Sequence, residues 1–453
     1  MNDMTRNAAP LATHRSSVGK PDTGKSLGAF LTPAMPPDPP ARRPLRAGLF
    51  GVLDVGSTKV TCLIGRMDGD GQLRVLGFGM RQSRGVRAGG ITDLDSAEQA
   101  VRGAVGDAET QADHRLRSVT VNLTCGTPES RLFGVQWPVG GRAVTEADVR
   151  RVVQEGRARA FLEGRETIHA LPLGFAVDAT LGVADPRGLH CDTLSARLHV
   201  VDAAATALRN LETTVLRCEL YISELVSAPM AAGLSALVED ERLLGATVID
   251  MGGGTTGIGV FSEGNLLHTA QLAVGGSHVT NDLARVLSTS VADAERLKTV
   301  YGNAQGSPDD EREILSVPLV GEEGHHFAKI PRSQLVEVIR PRLEETFELI
   351  RDRLDHAGLA REAGTRVVLT GGASQLAGAR EMAGRILDRQ VRLGRPSPFR
   401  GLPDEASGPG LATAAGLLSW AGGVGRSLAD IDTSDDPPAG FIGRIVNFVR
   451  NRL

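Results

Sequence analysis

The 453-residue sequence predicts an α/β protein whose two related lobes face one ligand. Three glycine turns carry that prediction. The apolar run Leu49, Phe50, Gly51, Val52 and Leu53 ends at Asp54, Val55, Gly56, Ser57, Thr58 and Lys59, and the β-branched, apolar stretch Val60 to Gly65 follows without a helical period. A buried strand therefore enters a glycine turn and leaves as a second strand. The same grammar returns about two hundred residues later, where Gly245 to Ile249 lead to Asp250, Met251, Gly252, Gly253, Gly254, Thr255 and Thr256 and then to the apolar run Ile258 to Phe261. A third turn, Val367 to Thr370 followed by Gly371, Gly372, Ala373 and Ser374, closes the set.

Taken in order, the chain opens with Met1 to about Arg46, rich in Pro, Ala, Ser and Thr and without the continuous apolar core of a signal peptide, and so is expected to be a disordered arm. After the first turn, Asp93, Asp95 and Ser96 mark a helix start, and Ala97, Ala100, Val101, Ala104, Val105 and Ala108 supply its apolar stripe. Ser118 to Leu123 alternates as a strand, and Thr145 with Asp148 opens another helix. Beyond the second turn, Asp293 to Val300 and Ser333 to Leu354 have helical spacing, the latter with a kink expected at Pro341. An acidic, Pro-containing linker, Asp430 to Gly440, precedes the final segment Phe441 to Leu453.

Composition narrows the function classes. With 41% hydrophobic and 23% charged residues the chain has enough apolar surface to fold, and a net charge of −4 gives no general attraction to nucleic acid. Aromatic residues make up only 4%, so no stacking platform for single strands is expected. Cys62, Cys125, Cys191 and Cys218 stand far apart without a CxxC pair, and His325 and His326 lack partner ligands at metal spacing. No run approaches the ~20 apolar residues that span a bilayer.

Glycine beside Ser or Thr in a tight turn lets backbone N–H groups converge on phosphate oxygens. Gly56, Ser57, Thr58 and Lys59 would hold the β- and γ-phosphates from one side and Gly252, Gly253, Gly254 and Thr255 from the other. Asp54 and Asp250 are placed to order waters on a bound Mg²⁺. Gly371, Gly372 and Ala373 would let backbone lie flat against adenine and ribose. Either phosphate turn alone would be compatible with a plain structural hairpin, but their repetition, order and matched preceding Asp argue for a clamp. It is not a Walker loop, since GxxxxGK[ST] is missing and the first turn leads into a strand.

LDVGSTKV, VIDMGGGTT and VVLTGGASQLAG resemble the two phosphate motifs and the adenosine motif of the actin, sugar kinase and heat-shock ATPase superfamily. Within it VRAGGITDL (from Val86), DERLLG (from Asp240), DAERLK (from Asp293) and TAAGLL (from Thr413) resemble segments of the FtsA family of bacterial division proteins, over nearly everything from Gly48 to Leu453. The resemblance implies an actin-like two-lobe fold with an inserted 1C (SHS2-type) subdomain, ATP as ligand, and Glu295 and Lys298, one helical turn apart, at the ribose. Their bland alternative is an ordinary surface ion pair.

The expected layout is an arm over 1–46, subdomain 1A over 47–83 and 181–215, 1C over 84–180, 2A over 216–271 and 332–425, 2B over 272–331, a linker over 426–440 and an amphipathic helix over 441–453.

Two departures bear on turnover. Heat-shock relatives carry an acid two places after GGGT, where this chain has Gly257, and MreB-like proteins carry Glu before Pro-Met-Ala-Ala, where it has Ala228. A positioned general base contributes typically ~10²–10⁴-fold, so ATP binding with weak or no hydrolysis is expected, and no catalytic residue is assigned.

In the final segment Phe441, Ile442, Ile445, Val446, Phe448, Val449 and Leu453 fall within roughly 160° when wound as a helix, with Arg444 and Arg450 on the other side. This is the pattern of an interfacial helix on anionic lipid, against the alternative of packing on its own core. The family resemblance further implies self-association into polymers, the C-terminal tail of FtsZ as partner on 2B, with Arg285, Arg296 and Lys329 as basic candidates, and contacts of 1C with later division proteins. It places the chain peripherally on the cytoplasmic face of the inner membrane at the division site. The competing expectation is a small-molecule kinase or ATPase on the same fold, and a third is a pilus-assembly adaptor.

Overall fold

The structure, a computed structural model, describes residues 48–68, 71–321, 327–359, 361–403 and 406–423. The expected arm 1–46, linker 426–440 and helix 441–453 lie outside the described residues, as do His325 and His326.

Two five-stranded sheets share one strand order. The first runs Tyr221–Ser227, Ser118–Leu123, Leu49–Val55, Lys59–Met67, Leu73–Gln82, and the second Gln390–Leu393, Arg366–Thr370, Ala246–Met251, Thr256–Ser262, Asn265–Leu272. In each, a three-stranded antiparallel meander is extended by two parallel strands beside its first strand. The repeated sequence grammar is thus a repeated topology, and each phosphate turn joins the first and second strands of its own sheet.

Helix Leu94–Ala112 starts where Asp93 caps it, the carboxylate accepting from the N–H groups of Asp95 and Ser96. Its buried Ala97, Val101, Ala104 and Ala108 press on the first sheet. Gly77 and Gly79 make that approach possible, because a Cβ on either would stand 2.1 Å from the Ala108 carbonyl oxygen or 1.9 Å from that of Ala104. This helix and the strand Ser118–Leu123 therefore belong to the first lobe, which corrects the expected insert over 84–180.

The insert is a separate sheet in the order Glu129–Pro138, Thr193–Ala204, Arg165–Val177, Thr180–Val183, antiparallel throughout, with helix Glu146–Ala160 on one face. Its last strand, Thr193–Ala204, is hydrogen-bonded on both sides inside this sheet, so it lies in the insert and not in 1A as expected. The strand Tyr221–Ser227, expected in 2A, pairs in parallel with Ser118–Leu123 at the edge of the first sheet. Both corrections have one cause: a strand signal does not say which sheet will take the strand.

In the second lobe, helices Gly276–Val286 and Val291–Tyr301 and the hairpin Ile314–Pro318/Phe327–Pro331 form a small unit beside helix Ser333–Ala357, which runs on through Pro341. Two alanine-rich helices, Ala228–Ala236 and Ala412–Ala421, lie between the lobes. A single core cluster there joins Val52 and Leu63 of the first sheet to Val248 and Phe261 of the second. The helices meet backbone to backbone at Gly416, where a Cβ would stand 1.7 Å from the Ala231 carbonyl oxygen.

Candidate functional site: two facing glycine turns

The first and second glycine turns are closed by the same hydrogen bond. The Gly56 N–H donates to the Lys59 carbonyl at 3.0 Å, and the Gly252 N–H to the Thr255 carbonyl at 2.9 Å. The N–H groups of Ser57, Thr58, Gly253 and Gly254 make no hydrogen bond among the described residues. Four donors are thus left at the meeting point of the lobes, the donor chemistry that suits phosphate oxygens.

The turns lie against each other. A Cβ on Gly253 would stand 2.2 Å from Thr58 Cγ2, and one on Gly254 2.4 Å from Ser57 Oγ. Glycine at both positions is therefore a steric requirement of the opposing lobe. Ser57 Oγ also accepts from the Gly89 N–H at 3.2 Å, and Asn122 Oδ1 accepts from the Val55 N–H at 2.8 Å, fixing the strand that feeds the first turn.

Asp54, Lys59 and Asp250 form a charge cluster beneath the turns. Burial pushes the Asp54 carboxyl up to about 7, with Lys59 opposing and the charge of Asp250 adding to it. Burial also raises Asp250 above the ordinary carboxylate value, against a hydrogen bond from Thr413 Oγ1 at 2.6 Å and the charge of Lys59. Lys59 is lowered by burial, against both carboxylates. Two carboxylates and one ammonium here are short of positive charge, which a divalent cation would supply.

Gly371 packs directly on this cluster, since a Cβ there would stand 2.4 Å from Asp250 Oδ1. Its N–H donates to the Pro409 carbonyl at 3.1 Å, and Gly410 lies beside both Gly372 and the Lys59 ammonium. Glu295 and Lys298 pair at 2.7 Å, with Lys298 Nζ also donating to Thr280 Oγ1 at 2.8 Å and the Gly276 carbonyl at 3.1 Å. Burial disfavours ionised Glu295, but the hydrogen bonds from Lys298 and Thr280 outweigh it and hold its pKa below the ordinary value. A Cβ on Gly276 would stand 3.0 Å from Ala373 Cβ and 3.6 Å from Lys298 Nζ, so the third turn and this pair meet around Gly276.

Several residues of the site escape sequence reasoning. Gly275 and Gly276 open the helix that braces the second turn: the Gly276 and Ser277 N–H groups donate to the Gly252 and Gly253 carbonyls at 2.9 and 2.8 Å. The adjacent glycine pair was the available signal. Thr280 and Gly410 carry none, because a hydroxyl or a glycine in helical or loop sequence has many uses, and Thr413 opened the resembling segment TAAGLL without a role being assigned to it. Beside the turns lies a small cleft lined by Thr124, Ala228, Asp250, Gly252, Thr255, Gly257 and Gln271. Ala228 and Gly257, the two positions where relatives carry an acid, thus face the same space.

The three basic candidates of the expected 2B stand on three different elements, Arg296 on helix Val291–Tyr301. Arg285 and Lys329 are exposed on the helix Gly276–Val286 and the strand Phe327–Pro331, and Arg296 makes a 3.9 Å pair with Asp293. Phe441, Ile442, Arg444, Ile445, Phe448, Val449 and Arg450 lie outside the described residues. Among the described residues, no helix is long and apolar enough to cross a membrane.

Comparison with known proteins agrees with this architecture. Residues 247–416 match the family model "Cell division protein FtsA", and 126–202 match "SHS2 domain inserted in FTSA", a span that coincides with the insert sheet. The chain is 43% identical over 408 residues to the cell division protein FtsA of Rhizobium meliloti, covering 87% of this chain and 91% of that one. Against the FtsA of Escherichia coli it is 34% identical over 375 residues, covering 81% and 89%. Among solved structures it resembles the PilM-PilN type IV pilus biogenesis complex, at a TM-score of 0.59 and 17% identity over 82% of this chain and 98% of that one. With two duplicated lobes around facing glycine turns and an SHS2 insert, the chain belongs to the FtsA family of cell-division proteins, built on the actin-like fold.

Proposed function

We propose that this chain is an ATP-binding, self-associating adaptor that anchors FtsZ filaments to the inner membrane during division and helps to recruit later division proteins. The observation that carries the nucleotide part is the pair of facing turns with four unspent N–H donors above a cluster short of positive charge. Gly56 to Lys59 and Gly252 to Thr255 would take the phosphates, Glu295 and Lys298 the ribose, and Gly371 to Ala373 the adenine side. Among the described residues no three His, Cys, Asp or Glu side chains could hold a metal together, so Mg²⁺ would meet Asp54 and Asp250 through water. The bound ion favours the ionised carboxylates, which burial alone disfavours.

Assembly with slow turnover at most is supported by the cleft lining, where Ala228 and Gly257 offer no acid and the one carboxylate, Asp250, is engaged by Thr413 and would face the Mg²⁺ water. Without a free base the cleft is poorly suited to a kinase, which needs one for its second substrate. The membrane and FtsZ parts rest on family membership and on the amphipathic arc of 441–453.

The test is co-sedimentation of the full chain with anionic liposomes, with and without Mg-ATP and FtsZ, beside a version ending at Gly440. Tail-dependent pelleting that carries FtsZ along supports the tether. Pelleting without FtsZ removes the partner assignment, and no pelleting removes the membrane role.

A further inference from the structure

One polar side chain in the cleft has no role in phosphate or metal binding. Gln271 stands on the strand Asn265–Leu272 directly opposite Gly257, and Gly257 stands directly opposite Asp250. Residues opposite one another on neighbouring antiparallel strands share a face, so the row reads carboxylate, bare backbone, carboxamide. Gly257 puts no side chain between the two polar ends, because the Pro229 ring fills the place a Cβ would take, 2.8 Å away at Cγ, and Asp250, Gly257 and Gln271 line one cleft.

The orientation of the carboxamide is set from the other lobe. Gln271 Nε2 donates to the carbonyl of Thr124, which follows the first-lobe strand Ser118–Leu123. A carbonyl can only accept, so the NH₂ end is committed to Thr124 and Oε1 is the acceptor left over. Ala228 and Gly257 bring no polar side chain to the cleft, and Gln271 is the residue paired with Gly257.

We propose that Gln271 is the water-orienting residue of a slow ATP hydrolysis in this cleft, its Oε1 accepting a hydrogen bond from the attacking water. The proposal rests on the nucleotide assignment made above. In the step, the water oxygen forms a bond to the terminal phosphorus, and the bond from that phosphorus to the bridging oxygen breaks, its electron pair leaving with the diphosphate. The water proton goes to the released phosphate, because a carboxamide aims water without taking its proton. Orientation without a base gives a rate below that of enzymes with a positioned acid, where the base supplies ~10²–10⁴-fold. Because Thr124 belongs to the first lobe, the carboxamide is held in place only while the lobes are closed on each other, which ties turnover to closure.

The experiment compares the full-length wild type with Gln271→Ala and Gln271→Glu. A fluorescent ATP analogue with Mg²⁺ measures affinity, and single-turnover phosphate release from Mg-ATP measures the step between pH 5 and 8. Gln271→Ala is expected to bind within about threefold of wild type and to release phosphate at least about tenfold more slowly, short of the ~10²–10⁴-fold that a true base would give. Gln271→Glu, a near-isostere that keeps the site filled, is expected to exceed the wild-type rate, and the ratio of its rate to the wild type's is expected to rise with pH as its carboxylate ionises, any dependence due to Asp54 being common to both. An unchanged rate in Gln271→Ala, a matching loss of affinity, or a pH-independent ratio for Gln271→Glu overturns the proposal and leaves nucleotide binding intact. A wild type that binds no nucleotide overturns both.

Discussion

Gly371→Ala isolates the geometry of the third turn. Gly371 has φ 84° and ψ 163°, a region that only glycine occupies readily, and an alanine held there costs about 1–3 kcal/mol. Its Cβ would also stand 2.5 Å from the Met251 carbonyl oxygen and 2.4 Å from Asp250 Oδ1. The Met251 carbonyl is backbone and cannot swing aside as a side chain can, so relief requires the second turn to move, an overpacking cost of about 1–3 kcal/mol. Together these give about 2–6 kcal/mol, against the 5–15 kcal/mol that typically separates folded from unfolded protein. Gly372→Ala is the internal control, because its Cβ would meet nothing within 4 Å and its expected effect is below about 0.5 kcal/mol. Urea unfolding followed by far-ultraviolet circular dichroism and by tryptophan fluorescence, with Trp420 buried between the lobes as reporter, compares the three chains. Binding of a fluorescent ATP analogue should weaken at least about tenfold in Gly371→Ala alone. Equal midpoints for the two alanine variants would refute the steric account of the turn.

For Asp54 the sign follows from its raised pKa: between 3.8 and about 7 the folded chain keeps a proton that the unfolded chain has released, so stability falls as pH rises across that window. Asp54→Asn should flatten that slope in urea titrations without nucleotide, and Mg-ATP should stabilise the wild type more than the variant. Asp148 is the opposite case, because paired hydrogen bonds from Arg142 at 2.6 Å each, beside those of Thr145, hold its carboxyl well below 3.8. Its contribution is complete above 3.8 and lost as pH falls below it, and Asp148→Asn should remove about 1.5–3 kcal/mol, read as faster hydrogen exchange in helix Glu146–Ala160 at neutral pH. Gly416→Val should yield little soluble protein, since even a Cβ would stand 1.7 Å from the Ala231 carbonyl oxygen. Phe448→Glu should release the chain from anionic liposomes while leaving ATP binding unchanged, and retention on the liposomes would remove the tail from the membrane account.

The turns were legible in the sequence because their chemistry is local. Asp54 to Lys59 and Asp250 to Thr255 each spell a complete strand, acid, glycine and hydroxyl unit, and the structure places those units face to face. Helix starts were legible for the same reason, as Asp93 and Thr145 cap within three residues of themselves. Subdomain membership was not. The strands Ser118–Leu123, Thr193–Ala204 and Tyr221–Ser227 take partners far away in the chain, and nothing inside a strand of mixed apolar residues names its sheet. The contacts of Thr413 and Gln271 were invisible for a related reason: each reaches a residue more than a hundred positions away, Asp250 in one case and Thr124 in the other.

The contact between helices Ala228–Ala236 and Ala412–Ala421 is rich in alanine methyls and closest where Gly416 meets Ala231. Alanine has no χ angle, so a small change in the angle between the two helices breaks few interlocked rotamers. Such a surface behaves as a plain bearing, on which packed helices slide by small shear displacements. The shared cluster that joins Val52 and Leu63 to Val248 and Phe261, with Met230, Leu417 and Trp420 in it, holds the motion to that scale. Wear on that bearing would come from bulk, and a single added methyl at its closest point jams it.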